Sequence, residues 1–326
     1  VIEDIKDICK RLYGDAIEIT NWSISGHNWV FEKETPTVDF INQSTWKNIT
    51  EEHIQLFQDK YGTELQNYDA FIVTHTPVFA LLFKKYNKPI VIINSCRYDQ
   101  PFCWNKNTTM KQFLDTSLQT MVQTNQAIIV SNNLADYRYL KEHTGIVSHV
   151  LPSLCLYTNS QYNPIKESFI VYGNRNIFPE SNLLVERPSQ GYSWSELYSY
   201  KGIVHCPYEM STMSIFEQVW AGVPLWFPTK RFYKECITNG TMEFISEYSK
   251  WDNPLQESEI DTWLQNADFY LLPFINYYDS FEDCIEQLNT FTDPNRDERY
   301  AWLNTNSNQI VEKWRSILNP IIKTRL

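Results

Sequence analysis

The sequence predicts an α/β protein of two domains, each a parallel sheet with crossover helices. Three observations carry that expectation. Short β-rich runs alternate with helical stretches along most of the chain. One of those runs, residues 89–94, is almost wholly apolar, as a strand covered on both faces must be. And 326 residues, 43% of them hydrophobic and 21% charged, are enough to bury two cores.

The elements follow in order. Residues 1–12 form an amphipathic helix. Residues 16–24 read as a strand and 51–61 as a helix. Residues 70–74 are a strand, 78–86 a helix opened by Pro77, and 89–94 the apolar strand. Helix 110–123, strand 127–131, helix 135–143 and strand 147–151 complete the first series. The polar stretch 158–164 ends in Pro164 and reads as a linker. The second series runs strand 168–172, strand 183–185, helix 195–200, strand 203–206, helix 212–221 and strand 224–227. Beyond about residue 255 the pattern turns helical. The last helix, 307–318, carries Ile310, Val311, Trp314, Ile317 and Leu318 at helical spacing.

Composition excludes several classes. The formal net charge of −11 opposes a nucleic-acid backbone. Seven cysteines without a C-x-x-C pair point to reduced thiols in a cytoplasmic compartment. No apolar run reaches the ~18 residues a membrane helix needs, so any membrane contact would be peripheral. There is no G-x-x-x-x-G-K-[ST], no G-x-G-x-x-G, no H-E-x-x-H, no G-x-S-x-G and no D-x-D. Kinases, dinucleotide dehydrogenases, zinc proteases, α/β-hydrolases and metal-triplet transferases are therefore unsupported.

The chemistry concentrates between His205 and Pro224. A strand ends at Cys206 and a Pro207-Tyr208-Glu209 turn follows. Ser211, Thr212 and Ser214 can cap a helix start. Gly222 stands where a left-handed residue closes the helix, with Pro224 beyond it. Amides at such a helix start suit a diphosphate. Glu209 and Glu217 bracket it. Two plainer readings stand beside this one: Ser214-x-x-Glu217 is also a capping box, and Glu209 could be a solvated turn residue.

The E-x7-E with Ala221-Gly222-Val223-Pro224 after it resembles the donor-site signature of the group-1, retaining GT-B glycosyltransferases. That pattern runs roughly P-S-x-x-E-x7-E-A-x-x-x-G-x-P. The resemblance continues in order from about residue 68 to 228. Residues 68–77 resemble the family's strand ending in a cleft-facing His, here His75. Residues 127–131 and 147–152 resemble the close of its first domain. Residues 169–175 resemble the opening strand of its donor domain, with Gly173 and then Arg175. The departures are Gln218 in place of Ala, Met210 and Met213 in place of small residues, and Ser153–Leu156 where an Asn-Gly-Val-Asp is usual.

The resemblance implies two facing Rossmann-like domains with an interdomain cleft. Residues 1–160 would bind the acceptor and 161–305 the nucleotide-sugar, and 306–326 would pack back on the first domain. Glu209 would hold the transferred sugar and Glu217 the ribose hydroxyls. Gly173, Arg175 and the amides of Ser211, Thr212, Met213 and Ser214 would hold the phosphates, with Lys230 and Arg231 a second basic pair. His75 would serve the acceptor or a proton transfer. By their positions after strands, His27, Arg97 and Asp99 are acceptor-side candidates, Asp99 as a general base if the reaction inverts. The expected partners are a UDP- or GDP-type sugar donor and a glycan or other hydroxyl acceptor, with no metal or other cofactor. Two alternatives remain at this level: a nucleotide-sugar epimerase on the same scaffold, and a non-catalytic carbohydrate-binding protein with a degenerate donor site.

Overall fold

The computed structural model describes residues 1–22, 24, 38–188, 192–243 and 257–323. They pack as two compact units. The first holds the described residues of Val1–Leu151 and Glu312–Leu326, and the second those of Pro152–Ser249 and Asn253–Val311. The stretch 158–164 belongs to the second unit. Its amides at Tyr162 and Asn163 bond to the carbonyls of Ala221 and Tyr198, 2.8 and 3.1 Å away.

The first unit opens with helix α1 (Ile2–Tyr13), which buries Ile5, Ile8 and Cys9. Helix α2 (Glu51–Leu65) starts at Thr50, whose hydroxyl accepts from the His53 amide. Then come β1 (Phe71–Val73), β2 (Ile90–Asn94), α3 (Phe102–Asn105), α4 (Thr108–Gln123), β3 (Ala127–Ser131), α5 (Leu134–Thr144) and β4 (His149–Val150). The sheet order is β1-β2-β3-β4, all parallel. Every residue of β2 is buried, so that strand is covered on both faces.

The second unit begins with β5 (Phe169–Tyr172), β6 (Leu184–Glu186), α6 (Trp194–Leu197), β7 (Ile203–His205), α7 (Met213–Trp220) and β8 (Leu225–Pro228). It continues with α8 (Lys230–Thr238), α9 (Glu257–Leu264), α10 (Asp268–Leu271), β9 (Ile275–Tyr278) and α11 (Phe281–Thr290); the last helix, α12 (Arg296–Lys323), belongs to this unit up to Val311 and to the first from Glu312. Its sheet is also parallel, in the order β6-β5-β7-β8-β9. Phe169, Val171, Val204, Trp226, Tyr278, Cys284 and Leu288 form one core cluster between sheet and helices. The architecture is thus two Rossmann-like α/β units.

The structure corrects five local expectations. Described residues 17–22 form no strand, because β propensity makes a strand only where a partner ladder receives it. Residues 78–86 wind as two 3₁₀ turns, Pro77–Leu82 and Lys84–Tyr86, not one α-helix. All six residues of the first turn are buried, so no polar stripe sets a 3.6-residue period. Strand β9 falls inside the region expected to be helical; it is an edge strand with a partly exposed, mixed polar and aromatic face. Lys230 and Arg231 open α8, a helix that the expected series does not contain. The terminal helix is far longer than 307–318.

All seven cysteines are free thiols. No helix among the described residues is long and apolar enough to cross a membrane.

Candidate functional site

In the second sheet the chain leaves β5 for β6 on one side and later returns to β7 on the other. That reversal is a topological switch point, where open parallel sheets leave a crevice at their carboxyl ends. Here the two ends meet closely. Gly173 follows β5 with φ +134°, and a Cβ on it would lie 2.5 Å from the Cβ of Cys206 after β7. Only glycine tolerates both the torsion and the approach.

Helix α7 starts from this point. Its N-cap is Thr212, whose side chain makes no cap hydrogen bond, and its first turn holds no acidic residue. By contrast α5, α8 and α11 are capped by Asn133, Thr229 and Ser280. The first turn of α7 thus carries no acidic side chain of its own to meet the helix dipole. The far end closes as expected. Gly222 takes φ +81°, and the amides of Gly222 and Val223 bond to the carbonyls of Val219 and Gln218 at 2.9 and 3.0 Å. Arg299 Nε then donates to the Gly222 carbonyl at 3.0 Å.

The two glutamates are held differently. Glu209 lies in the turn, where its Oε1 accepts from the Met210 amide at 2.8 Å. Glu217 lies inside α7, where its Oε1 accepts from the Tyr157 hydroxyl at 2.6 Å and Trp194 adds a side-chain hydrogen bond. Burial raises the Glu217 pKa, and those two donors oppose the rise. With Thr212 as N-cap, Ser214 is already helical; its hydroxyl sits 2.9 Å from that of Thr212. The Ser214–Glu217 capping box therefore does not form.

A buried polar cluster lies beside the switch point. His205 ends β7, and its Nε2 is 2.7 Å from Gln218 Oε1. An amide oxygen only accepts, so the neutral ring carries its proton on Nε2. Burial pushes the His205 pKa down to about 4, against the Gln218 hydrogen bond and with help from nearby Arg187. The ring stacks on Phe227 at 4.4 Å, and Phe227 on Phe269 at 4.6 Å. Gln218, the departure from the family's Ala, is fully buried and serves this histidine.

Among the basic candidates, Arg175 folds onto its own loop. Its Nε, Nη1 and Nη2 donate to the carbonyls of Leu184, Phe178 and Ser181 at 3.2–3.3 Å. The ammonium of Lys230 lies 5.1 Å from the Tyr270 ring centroid. Arg231 is tied to Asp279 and Glu235.

The first sheet collects its own candidates at the carboxyl ends of β1 and β2. His75 follows β1 with φ +74°, a strained torsion for a non-glycine residue. Its carbonyl accepts from Cys96 Sγ at 2.8 Å, and its ring meets Trp46 edge-on at 5.2 Å. Arg97 and Asp99 are 2% and 0% exposed, so neither reaches solvent. Arg97 Nε donates to Asp99 Oδ1 at 3.0 Å, and the Tyr139 hydroxyl donates to Oδ2 at 3.0 Å. This geometry is that of a structural ion pair. His27 lies outside the described residues.

Compared with protein-family models, curated proteins and solved structures, the chain matches none. Its architecture is compatible with nucleotide-sugar-binding enzymes in general.

The expected residues thus divide between the two sheets. Gly173, Glu209, Ser211, Thr212, Met213, Ser214 and Lys230 gather at the carboxyl edge of the second; His75, Arg97 and Asp99 gather at that of the first. Sequence reasoning missed Tyr157, Trp194, His205 and Arg187. A signal existed only for the last two, which stand at or just after the end of a strand.

Proposed function

We propose that the chain is a glycosyltransferase whose second unit binds a nucleoside-diphosphate sugar and whose first unit serves the hydroxyl acceptor. The observation that carries this reading is the start of α7 beside the switch point, where the Thr212 side chain makes no cap hydrogen bond, with Glu209 just before it and Glu217 within it. In the reaction the bond from the anomeric carbon to the diphosphate oxygen breaks, and its electron pair leaves with the diphosphate. A bond from the anomeric carbon to the acceptor oxygen forms, and the acceptor proton is released. Charge grows on the departing phosphate, where the α7 amides and dipole would stabilise it without reorganising.

Glu209 would accept from hydroxyls of the transferred sugar, and Glu217 from the ribose, with retention of anomeric configuration. His75 would hydrogen-bond the acceptor. Asp99, enclosed by Arg97 and Tyr139, is assigned to structure and not to proton transfer. One observation favours a second reading, a sugar-binding protein without turnover: Arg175 is committed to three carbonyls of its own loop.

The test is a thermal-shift screen against UDP-, GDP-, dTDP- and CMP-sugars, followed by a transfer assay. At least one donor is expected to raise the melting temperature. Glu209→Ala is expected to abolish transfer while the protein stays folded. If no donor shifts the melting point, or if Glu209→Ala transfers at the wild-type rate, the assignment fails. A shift without turnover selects the binding protein.

A further inference from the structure

We infer that Arg187, and not Arg175, is the cation that meets the donor diphosphate. The inference rests on the proposed binding of a nucleoside diphosphate by the second unit, and it names a residue that the motif comparison does not reach.

Arg175 occupies the position where the family resemblance puts a phosphate-binding arginine. In this chain each of its three guanidinium nitrogens donates to a backbone carbonyl between residues 178 and 184. That fork holds a loop together, and turning it outward would take its donors from all three carbonyls; among the described residues only that of Ser181 also accepts from a backbone amide, Leu184 N–H.

Arg187 comes from the next strand over. It is the first residue after β6, it is exposed, and its guanidinium carbon lies 4.7 Å from the ring centroid of Tyr172. Tyr172 is the last residue of β5 and pairs in register with His205, the last residue of β7. Arg187 therefore reaches across the end of β5 toward the switch point from which α7 starts. Arg187 also hydrogen-bonds the Tyr172 side chain, and a guanidinium has five N–H donors, so others remain for an anion. Among the described residues no carboxylate forms an ion pair with it, although the chain carries a formal net charge of −11. Arg231 is neutralised by Asp279 and Glu235, and Lys230 opens α8 after β8, a strand on the far side of β7 from β5. Arg187 is thus the cation aimed from the β5 side of the crevice.

The experiment compares wild type, Arg187→Met, Arg187→Lys and Arg175→Met by calorimetric titration with UDP, GDP and ADP and with the matching nucleosides. Melting temperatures are recorded in parallel. Arg187→Met is expected to weaken diphosphate binding roughly ten- to a hundred-fold. It should leave nucleoside binding and the melting temperature unchanged, because the side chain is exposed. Arg187→Lys should fall between, since a point charge replaces a two-pronged donor. Arg175→Met is expected to lower the melting temperature. Diphosphate affinity in Arg187→Met equal to wild type overturns this inference alone. A wild-type protein that binds none of the three diphosphates overturns it together with the function on which it rests.

Discussion

Two carboxyl groups with opposite surroundings, Asp99 buried and Glu217 half-buried, show what single residues do here. Asp99 is enclosed beside a guanidinium and a tyrosine hydroxyl, so its charge is answered on both oxygens. Removing it strands Arg97 in the core. Asp99→Ala is expected to cost about 3–5 kcal/mol of unfolding free energy in urea titration. A residue used only as a base would instead lose turnover with little loss of stability. Glu217 is met by the Tyr157 hydroxyl and by Trp194, and burial outweighs them and raises its pKa. A carboxyl with a raised folded pKa holds more protons folded than unfolded between its two pKa values. Stability therefore falls as pH rises from about 4.3, the ordinary Glu value, through the folded pKa. Glutamine keeps an oxygen acceptor for Tyr157 without that ionisation. Glu217→Gln is expected to match wild type below that window and to exceed it at neutral pH, while binding nucleotide more weakly. A wild type more stable than the variant at neutral pH would contradict this account.

Helix α7 shows how an element can be left incomplete at one end only. Its C-terminus is closed by Gly222, by two backbone bonds and by Arg299. Its N-terminus has neither a side-chain cap nor an acidic first turn. A bound anion there would be stabilised by the helix dipole. Ser214→Asp puts a carboxylate in that first turn, and two effects of opposite sign should follow. The helix gains about 0.3–1 kcal/mol from its dipole, read as a higher melting temperature without ligand. Nucleoside-diphosphate affinity falls, because the new charge repels the phosphates. A variant that gained stability and kept its affinity would remove α7 from the donor site.

At the scale of the whole chain, two parallel sheets each have a carboxyl edge carrying candidate groups. The second edge has the reversal of strand order that opens a crevice; the described strands of the first run in simple sequence, β1 to β4. This asymmetry is why donor binding is assigned to the second unit. A donor at a hundred times its Kd would add about 2.7 kcal/mol to the unfolding free energy of whatever it binds. That stabilisation is expected in the unfolding of the second unit. The net charge of −11 fits a small anionic ligand held by local amides and one cation better than it fits a polyanion.

The sequence by itself determined the alternation of strands and helices, the apolar core strand at 89–94, the start of a helix near Thr212 and its end at Gly222. Each follows from local rules: a run of β-branched residues, an extended Thr before the first helical turn, a glycine where φ turns positive. Only the tertiary structure decided what each charge does. Arg175 and Arg187 both follow predicted strands, and nothing in their neighbours tells which bonds to carbonyls and which lies on a ring. Gln218 reads as a motif mismatch until His205 is found 2.7 Å from it. Strand β9 and the 3₁₀ turns escaped for the same reason. Local propensity is set by nearest neighbours, whereas a side chain's partner and a strand's ladder come from residues distant in the chain, brought close only by the fold.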